Sequence, residues 1–166
     1  MKSLVFLLFV AVIKVGVCQQ LTCGEDWQYF EGNCYRYRIE QIDWRHARAN
    51  CNYWGSILAE VPSESVSHFL MDFSRNKTAG ITIYNACVWL GGNDLAQEGV
   101  WKWDSGSFPF NFTNWLTSEP YNVGFDCLCM NKDNQYKWND QHCSSTYGSG
   151  YICAKPAHVA PSTSTV

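Results

Sequence analysis

Several things are missing from this chain, and each absence removes a class of function. The apolar run Leu4 to Ile13 is well short of the roughly 20 residues that a membrane-spanning helix needs. There is no basic stripe: acidic residues outnumber basic ones 15 to 12, so neither nucleic acid nor an anionic membrane is expected as a partner. No His-x-x-x-His pair and no recognisable nucleophile elbow occurs, and His46, His68, His142 and His158 have no spacing suggestive of a catalytic pair. An enzyme is therefore not expected. The pair Cys127-x-Cys129 has no second close-spaced partner pair, which argues against a structural zinc site.

What is present points to export. Lys2, the apolar run and the small-residue end Gly16-Val17-Cys18 have the form of a secretory signal peptide over residues 1–18, with cleavage near Cys18. Its removal takes away Lys2 and Lys14 and leaves ten basic against fifteen acidic residues, a formal charge of −5. It also leaves eight of the nine cysteines: Cys23, Cys34, Cys51, Cys87, Cys127, Cys129, Cys143 and Cys153. An even number in an exported chain reads as four disulfides, with about a hundred possible connectivities. The 166 residues have room for one domain with a sizeable core.

Along the chain, Glu31-Gly32-Asn33 is a turn signal between aromatic-bearing runs, so Cys23 and Cys34 enclose a small hairpin. Tyr35, Tyr37 and Ile39 alternate with charged residues as in a half-buried strand. Asp43 caps a helix over Trp44 to Tyr53 with Trp44, Ala47 and Cys51 on one face, and Ile57 to Val61 follows as a short strand. A second helix opens after Pro62-Ser63 and buries Val66, Phe69, Leu70 and Phe73. The sequons at Asn76 and Asn111 mark surface loops open to N-glycosylation. Cys87 leads a buried strand, and Gly91 to Ser118 is loop-like, a stretch of a length that carries function or is pinned, here by metal and disulfides both. Cys127 and Cys129 alternate on one face of a strand, Trp138 ends the next, and Gly150 to Cys153 is the last. Residues 156–166 read as a disordered Ser/Thr/Pro tail, a candidate for O-glycosylation.

The stretch from Glu119 to Cys143 carries the chemistry. Two clusters of oxygen-bearing side chains, Glu119/Asn122/Asp126 and Asn139/Asp140, fall in one short cysteine-bracketed segment. Ca2+ takes about six to eight oxygens from carboxylates, amides and backbone carbonyls, so this is a candidate hard-cation site. The same residue types are also ordinary turn formers; their conjunction is what singles out the segment.

Taken together, Trp89-Leu-Gly-Gly, Trp101-Lys-Trp103, Asn114-Trp115, Glu119-Pro120, Asp126-Cys127, Trp138-Asn-Asp140, Cys143 and Tyr151-Ile-Cys153 resemble a C-type lectin-like domain. The resemblance runs over residues 23–155 and is to the long form with an N-terminal hairpin, similar to secreted single-domain invertebrate lectins of the perlucin-like kind. It implies an α+β fold, with two helices flanking small antiparallel sheets and a long calcium-site loop. The pairing it implies is Cys23–Cys34, Cys51–Cys153 and Cys127–Cys143, leaving Cys87–Cys129. It also implies a cis peptide before Pro120 and core roles for Trp89, Trp101, Trp103 and Trp138.

The family's sugar-binding calcium is held by a Glu-Pro-Asn set, a later Glu and an Asn-Asp pair. Glu119, Asn139 and Asp140 match it, while Tyr121 and Phe125 stand where two ligands would be. Asn122 and Asp126, each one residue away, are the substitutes. The resemblance thus implies a carbohydrate-binding protein that uses a degenerate Ca2+ site for glycan or microbe recognition, as in innate immunity, with glycans or glycoproteins as partners and Tyr121 available to stack on a sugar ring. The alternative is a lectin-like scaffold that binds protein or an extracellular or mineral matrix without sugar recognition. His142 lies beside the site and offers a titratable group.

Overall fold

The computed structural model describes residues 20–80, 87–121, 124–146 and 148–160. The expected signal peptide, Asn122 and residues 161–166 lie outside them.

Chain entry is a short strand, β1 (Leu21–Thr22), followed by the hairpin of β2 (Gln28–Phe30) and β3 (Asn33–Arg38). The hairpin pairs Gln28 with Tyr35 across the predicted turn and is closed by Cys23–Cys34. Tyr35 and Tyr37 are buried as their alternation predicts, but β3 ends at Arg38 and Ile39 is exposed. Helix α1 (Trp44–Tyr53) starts where Asp43 Oδ1 accepts the His46 N–H at 2.9 Å, and it buries Trp44, Ala47 and Cys51. The strand expected over Ile57 to Val61 contracts to β4 (Ile57–Leu58). Ala59 still donates its N–H to the Ile152 carbonyl at 2.7 Å, and Ala59 to Val61 remain buried.

Helix α2 (Glu64–Lys77) is capped by Ser63 and buries Val66 and Leu70, while Phe69 and Phe73 stack with Phe30 against the core. This helix is longer than its apolar stripe, so Asn76 is an exposed residue of its last turn and not of a loop. The following Thr78 explains the extension, because its hydroxyl donates to the Ser74 carbonyl and meets the Tyr136 hydroxyl at 2.6 Å.

The remaining strands are β5 (Cys87–Asn93), β6 (Lys102–Trp103), β7 (Cys127–Asn131), β8 (Lys137–Gln141), β9 (Gly148–Pro156) and β10 (His158–Val159). One sheet runs β2-β3-β9-β5-β7-β8, with β4 on β9 and β6 on β5. Only β5 and β9 are parallel among its named pairs. Strand β5 is buried along its whole length. It reaches Asn93, so the long loop begins later than its Gly-rich sequence suggests. A separate pair joins β1 to β10, with Leu21 opposite Val159. The tail expected from residue 156 therefore stays ordered through Ala160, whose N–H donates to the Gln20 carbonyl: pairing with the chain's entry supplies the order that its composition lacks.

All four disulfides join the pairs expected from the resemblance: Cys23–Cys34, Cys51–Cys153, Cys87–Cys129 and Cys127–Cys143. Cys51–Cys153 spans 102 positions, a loop length for which the chain-entropy model gives about 4–5 kcal/mol. Aromatic packing holds the long loop. Trp101, Trp103, Phe108, Phe110, Phe112 and Trp115 pack with Trp138 as one aromatic group, with Trp103, Trp115 and Phe112 all edge-on to Trp138.

Of the described glycines, Gly150 would bring an added Cβ closest to its neighbours. It has a φ of 152°, and a Cβ there would lie 2.1 Å from the Arg38 carbonyl oxygen. Gly150→Ala is expected to cost on the order of 3 kcal/mol by prising β9 from β3. Urea unfolding of the oxidised protein measures it; a loss below about 1 kcal/mol would refute this role.

Candidate functional site

The aromatic group positions the loop that carries Glu119. Trp138 on β8 donates its N–H to the Asn114 carbonyl at 2.9 Å and accepts the Leu116 N–H at 2.7 Å, so residues 114–116 lie along the start of β8. The chain then turns, with the Glu119 N–H on the Leu116 carbonyl and Ser118 at a φ of 73°. The Glu119–Pro120 peptide is cis. The result is that Glu119 and Asp140, 21 positions apart in sequence, share one site.

Their carboxyl groups act on one another. Burial is the first cause that pushes the Asp140 carboxyl up to about 7; a hydrogen bond to Glu119 and the charge of Glu119 add to it, and the Tyr121 N–H opposes them. Asp140 is only 4% exposed. The Oε2 of Glu119 is buried with no hydrogen-bond partner among the described residues. Two acids pressed together with one oxygen orphaned make an arrangement that a cation relieves.

The other expected ligands divide. Asn139 is buried beside Asp140, but its Oδ1 lies 3.1 Å from the Cys129 sulfur and its Nδ2 donates to the Asp140 carbonyl. Its amide oxygen is thus turned to the Cys87–Cys129 disulfide, because adjacent residues of β8 face opposite sides. Asp126 is drawn to a different neighbour: its carbonyl accepts the Asp94 N–H at 3.2 Å, and its charge acts on the Asp94 carboxyl. No hydrogen bond or ion pair joins Asp126 to Glu119 or Asp140 among the described residues. Asn122 lies outside those residues.

Tyr121 is 68% exposed and meets Phe125 edge-on at 6.3 Å, and Phe125 stacks on His142 at 4.1 Å between centroids. The His142 ring is held in turn by Nδ1 against the Gly124 carbonyl at 2.7 Å. The two residues standing at ligand places thus form, with His142, an aromatic shelf beside the carboxyl pair.

A second acidic group escaped the sequence reading. Asp94 is buried, its Oδ2 accepts the Gly99 N–H at 2.8 Å, and its Oδ1 has no partner among the described residues. Burial raises its pKa, and the charges of Glu98 and Asp126 raise it further. The signal was Asp94 followed by Glu98-Gly99 in a polar loop, but only folding brings Asp126 to them.

The donors suit a hard cation, since both groups hold carboxylates with an orphaned buried oxygen. Among the described residues no three His, Cys, Asp or Glu side chains are grouped closely enough to hold a metal by themselves. Glu119 and Asp140 would hold Ca2+ in the first group and Asp94 and Asp126 in the second, with amide, backbone and water oxygens completing each set.

The raised Asp140 carboxyl sets a pH dependence. The folded state binds a proton that the unfolded chain, near the ordinary carboxyl value, gives up, so in chelator stability is greatest at low pH for this group and declines as pH rises from about 4 to about 7. Asp140→Asn should remove that decline, so that its stability relative to wild type rises by on the order of 1–3 kcal/mol between pH 4.5 and 8. Denaturant titrations in EDTA across that range give the answer; parallel pH profiles would exclude the coupling.

Comparison with known proteins agrees with the fold. The lectin C-type domain family model matches residues 40–155. A hepatic lectin of Gallus gallus is 35% identical over 138 residues, 81% of this chain, although this chain spans only 61% of that protein's length. A perlucin-like protein of Mytilus galloprovincialis is 28% identical over 152 residues, 90% of this chain and 94% of its own. Among solved structures, a calcium-independent type II antifreeze protein aligns with a TM-score of 0.72 and 25% identity, over 85% of this chain and 99% of that one. The chain belongs to the C-type lectin domain family.

Proposed function

We propose that this protein is a secreted lectin that binds glycan hydroxyls at the Glu119/Asp140 pair and stacks the apolar face of a sugar on Tyr121. The observation that carries the reading is the orphaned Oε2 of Glu119 held against Asp140 beside an aromatic ring that is 68% exposed. Bound Ca2+ would supply a Lewis-acidic centre on which neighbouring sugar hydroxyls replace water. The chain's own part is to orient: the cis Glu119–Pro120 turn and the Trp138 hydrogen bonds hold the Glu119 carboxylate where it accepts from a hydroxyl, and the Tyr121 N–H fixes Asp140. Four disulfides accord with an oxidising, extracellular setting and with removal of residues 1–18 as a signal peptide. The exposed side chains of Asn76 and Asn111 accord with N-glycosylation.

A scaffold that does without calcium is the second reading. It draws on two particulars: Phe125 is committed to His142, and the Asn139 oxygen is turned to a disulfide. The calcium-independent antifreeze neighbour has the same fold.

The melting temperature in Ca2+ against EDTA separates the two. At a hundredfold excess over its Kd, a cation bound only by the folded state adds about 2.7 kcal/mol. Glu119→Gln should abolish the gain, and a wild-type protein with no gain at millimolar Ca2+ would leave the scaffold reading standing. Glycan retention on an array in Ca2+ tests the aromatic contact, with Tyr121→Ala expected to weaken binding by roughly 1 kcal/mol, or about fivefold, without lowering the melting temperature. Unchanged retention by that variant would remove Tyr121 from the site.

A further inference from the structure

A separate cavity lies between β4, the end of β9 and the turn at 104–108. It encloses about 460 Å3, within the usual range for small-molecule sites. Its walls are largely apolar, from Ile57, Phe108, Ala154 and Pro156, and Glu60 lies in its lining.

Glu60 is an unusual residue to find there, because it is 5% exposed and no cation pairs with it among the described residues. Its Oε1 accepts the Ser105 N–H and its Oε2 the Ser105 hydroxyl, both at 2.8 Å. Each carboxylate oxygen therefore keeps a lone pair for a further donor. The nearest named charge, Asp104, is also acidic and is already paired with Arg48. The one cation in the lining, Lys155, has its Nζ over the Trp27 ring at 4.2 Å. The turn that presents Ser105 is braced on the sheet: the Asp104 N–H meets the Gly91 carbonyl at 2.8 Å, and the Gly106 N–H meets the Trp103 carbonyl at 3.1 Å. A fixed, buried carboxyl group with spare acceptor capacity in an apolar-walled cavity has the complement of one ligand class, a cation with an apolar body.

We propose that this cavity is a second ligand site, which takes a primary ammonium on an apolar body, with the ammonium on Glu60 and the body against Ile57 and Phe108. Burial raises the Glu60 carboxyl, and an incoming cation would offset the cost of its ionisation. The site shares no residue with the carboxyl pair at Glu119 and Asp140, and it stands whether or not that pair binds calcium.

The test is a titration of the 15N-labelled oxidised protein in EDTA at neutral pH with benzylammonium, and in parallel with benzyl alcohol of nearly the same shape. Benzylammonium is expected to shift the amides of Ile57, Glu60, Ser105 and Ser107 saturably and to bind about tenfold tighter than the alcohol, the margin of a charge-assisted over a neutral hydrogen bond. Glu60→Gln should erase that preference while leaving the alcohol's affinity in place. Should Glu60→Gln not fold, Ser107→Trp, at an exposed position of the cavity mouth, is expected to abolish the shifts at Ile57 and Glu60. Equal affinity for the two probes would overturn the proposal. So would a preference that persists in either folded variant, shifts confined to Tyr121 and Asp140, or no shift at all.

Discussion

Everything in this molecule hangs on the burial of one strand. Cys87–Asn93 is covered along its whole length and is bonded to β6, β7 and β9. Two indole donors tie the start of α1 to it: Trp44 Nε1 reaches the Leu90 carbonyl at 2.7 Å, and Trp89 Nε1 reaches the Ile42 carbonyl at 2.9 Å. Around Trp89 lie Cys51, Cys87, Cys127, Cys129, Cys143 and Cys153, so three of the four disulfides converge on one core cluster. Covalent closure and apolar burial act here at the same place. Even the glycines obey the constraint, since a Cβ on Gly91 would come within 2.9 Å of the Leu58 carbonyl oxygen.

The opposite side of the sheet carries the second core cluster, and it is there that irregular chain is given a shape. Between β6 and β7 the described residues form almost no regular structure, yet aromatic rings recur often enough to pack on Trp138 from several directions. Edge-to-face packing has directional preferences that aliphatic packing lacks, so a chain segment anchored by such rings is held in orientation as well as in place. The main-chain bonds of Trp138 to residues 114 and 116 carry that orientation to the Glu119–Pro120 turn. Stability of the loop and placement of the carboxyl pair thus have a common cause.

Electrostatics then separates three acidic centres that look alike by composition. Glu60 accepts one hydrogen bond on each oxygen from Ser105 and lines an apolar-walled cavity. Asp94 is held by Gly99 and feels Glu98 and Asp126. Asp140 is raised by its burial and by the neighbouring Glu119. In each case burial opposes ionisation; what differs is the neighbour, and the neighbour decides which ligand could repay the desolvation. A neutral donor pair, neighbouring like charges and a second nearby acid call for different occupants.

Much of the fold was legible from local chemistry. Asp43 and Ser63 stood where caps belong, the spacing of Trp44, Ala47 and Cys51 marked a buried face, and Cys127 and Cys129 alternated as a strand requires. The disulfide pairing was not readable from spacing, and the family resemblance supplied it. The order at His158–Val159 and the last turn of α2 were misread because each depends on a partner distant in sequence, β1 and Tyr136 respectively. The same distinction runs through the site. By itself the sequence determined the inventory of acids and aromatic rings, since residue type sets donor chemistry. Only the tertiary structure decided that Glu119 meets Asp140, that Asp126 goes to Asp94, and that the Asn139 oxygen turns inward, because those outcomes follow from strand register and from burial, which no local window of sequence contains.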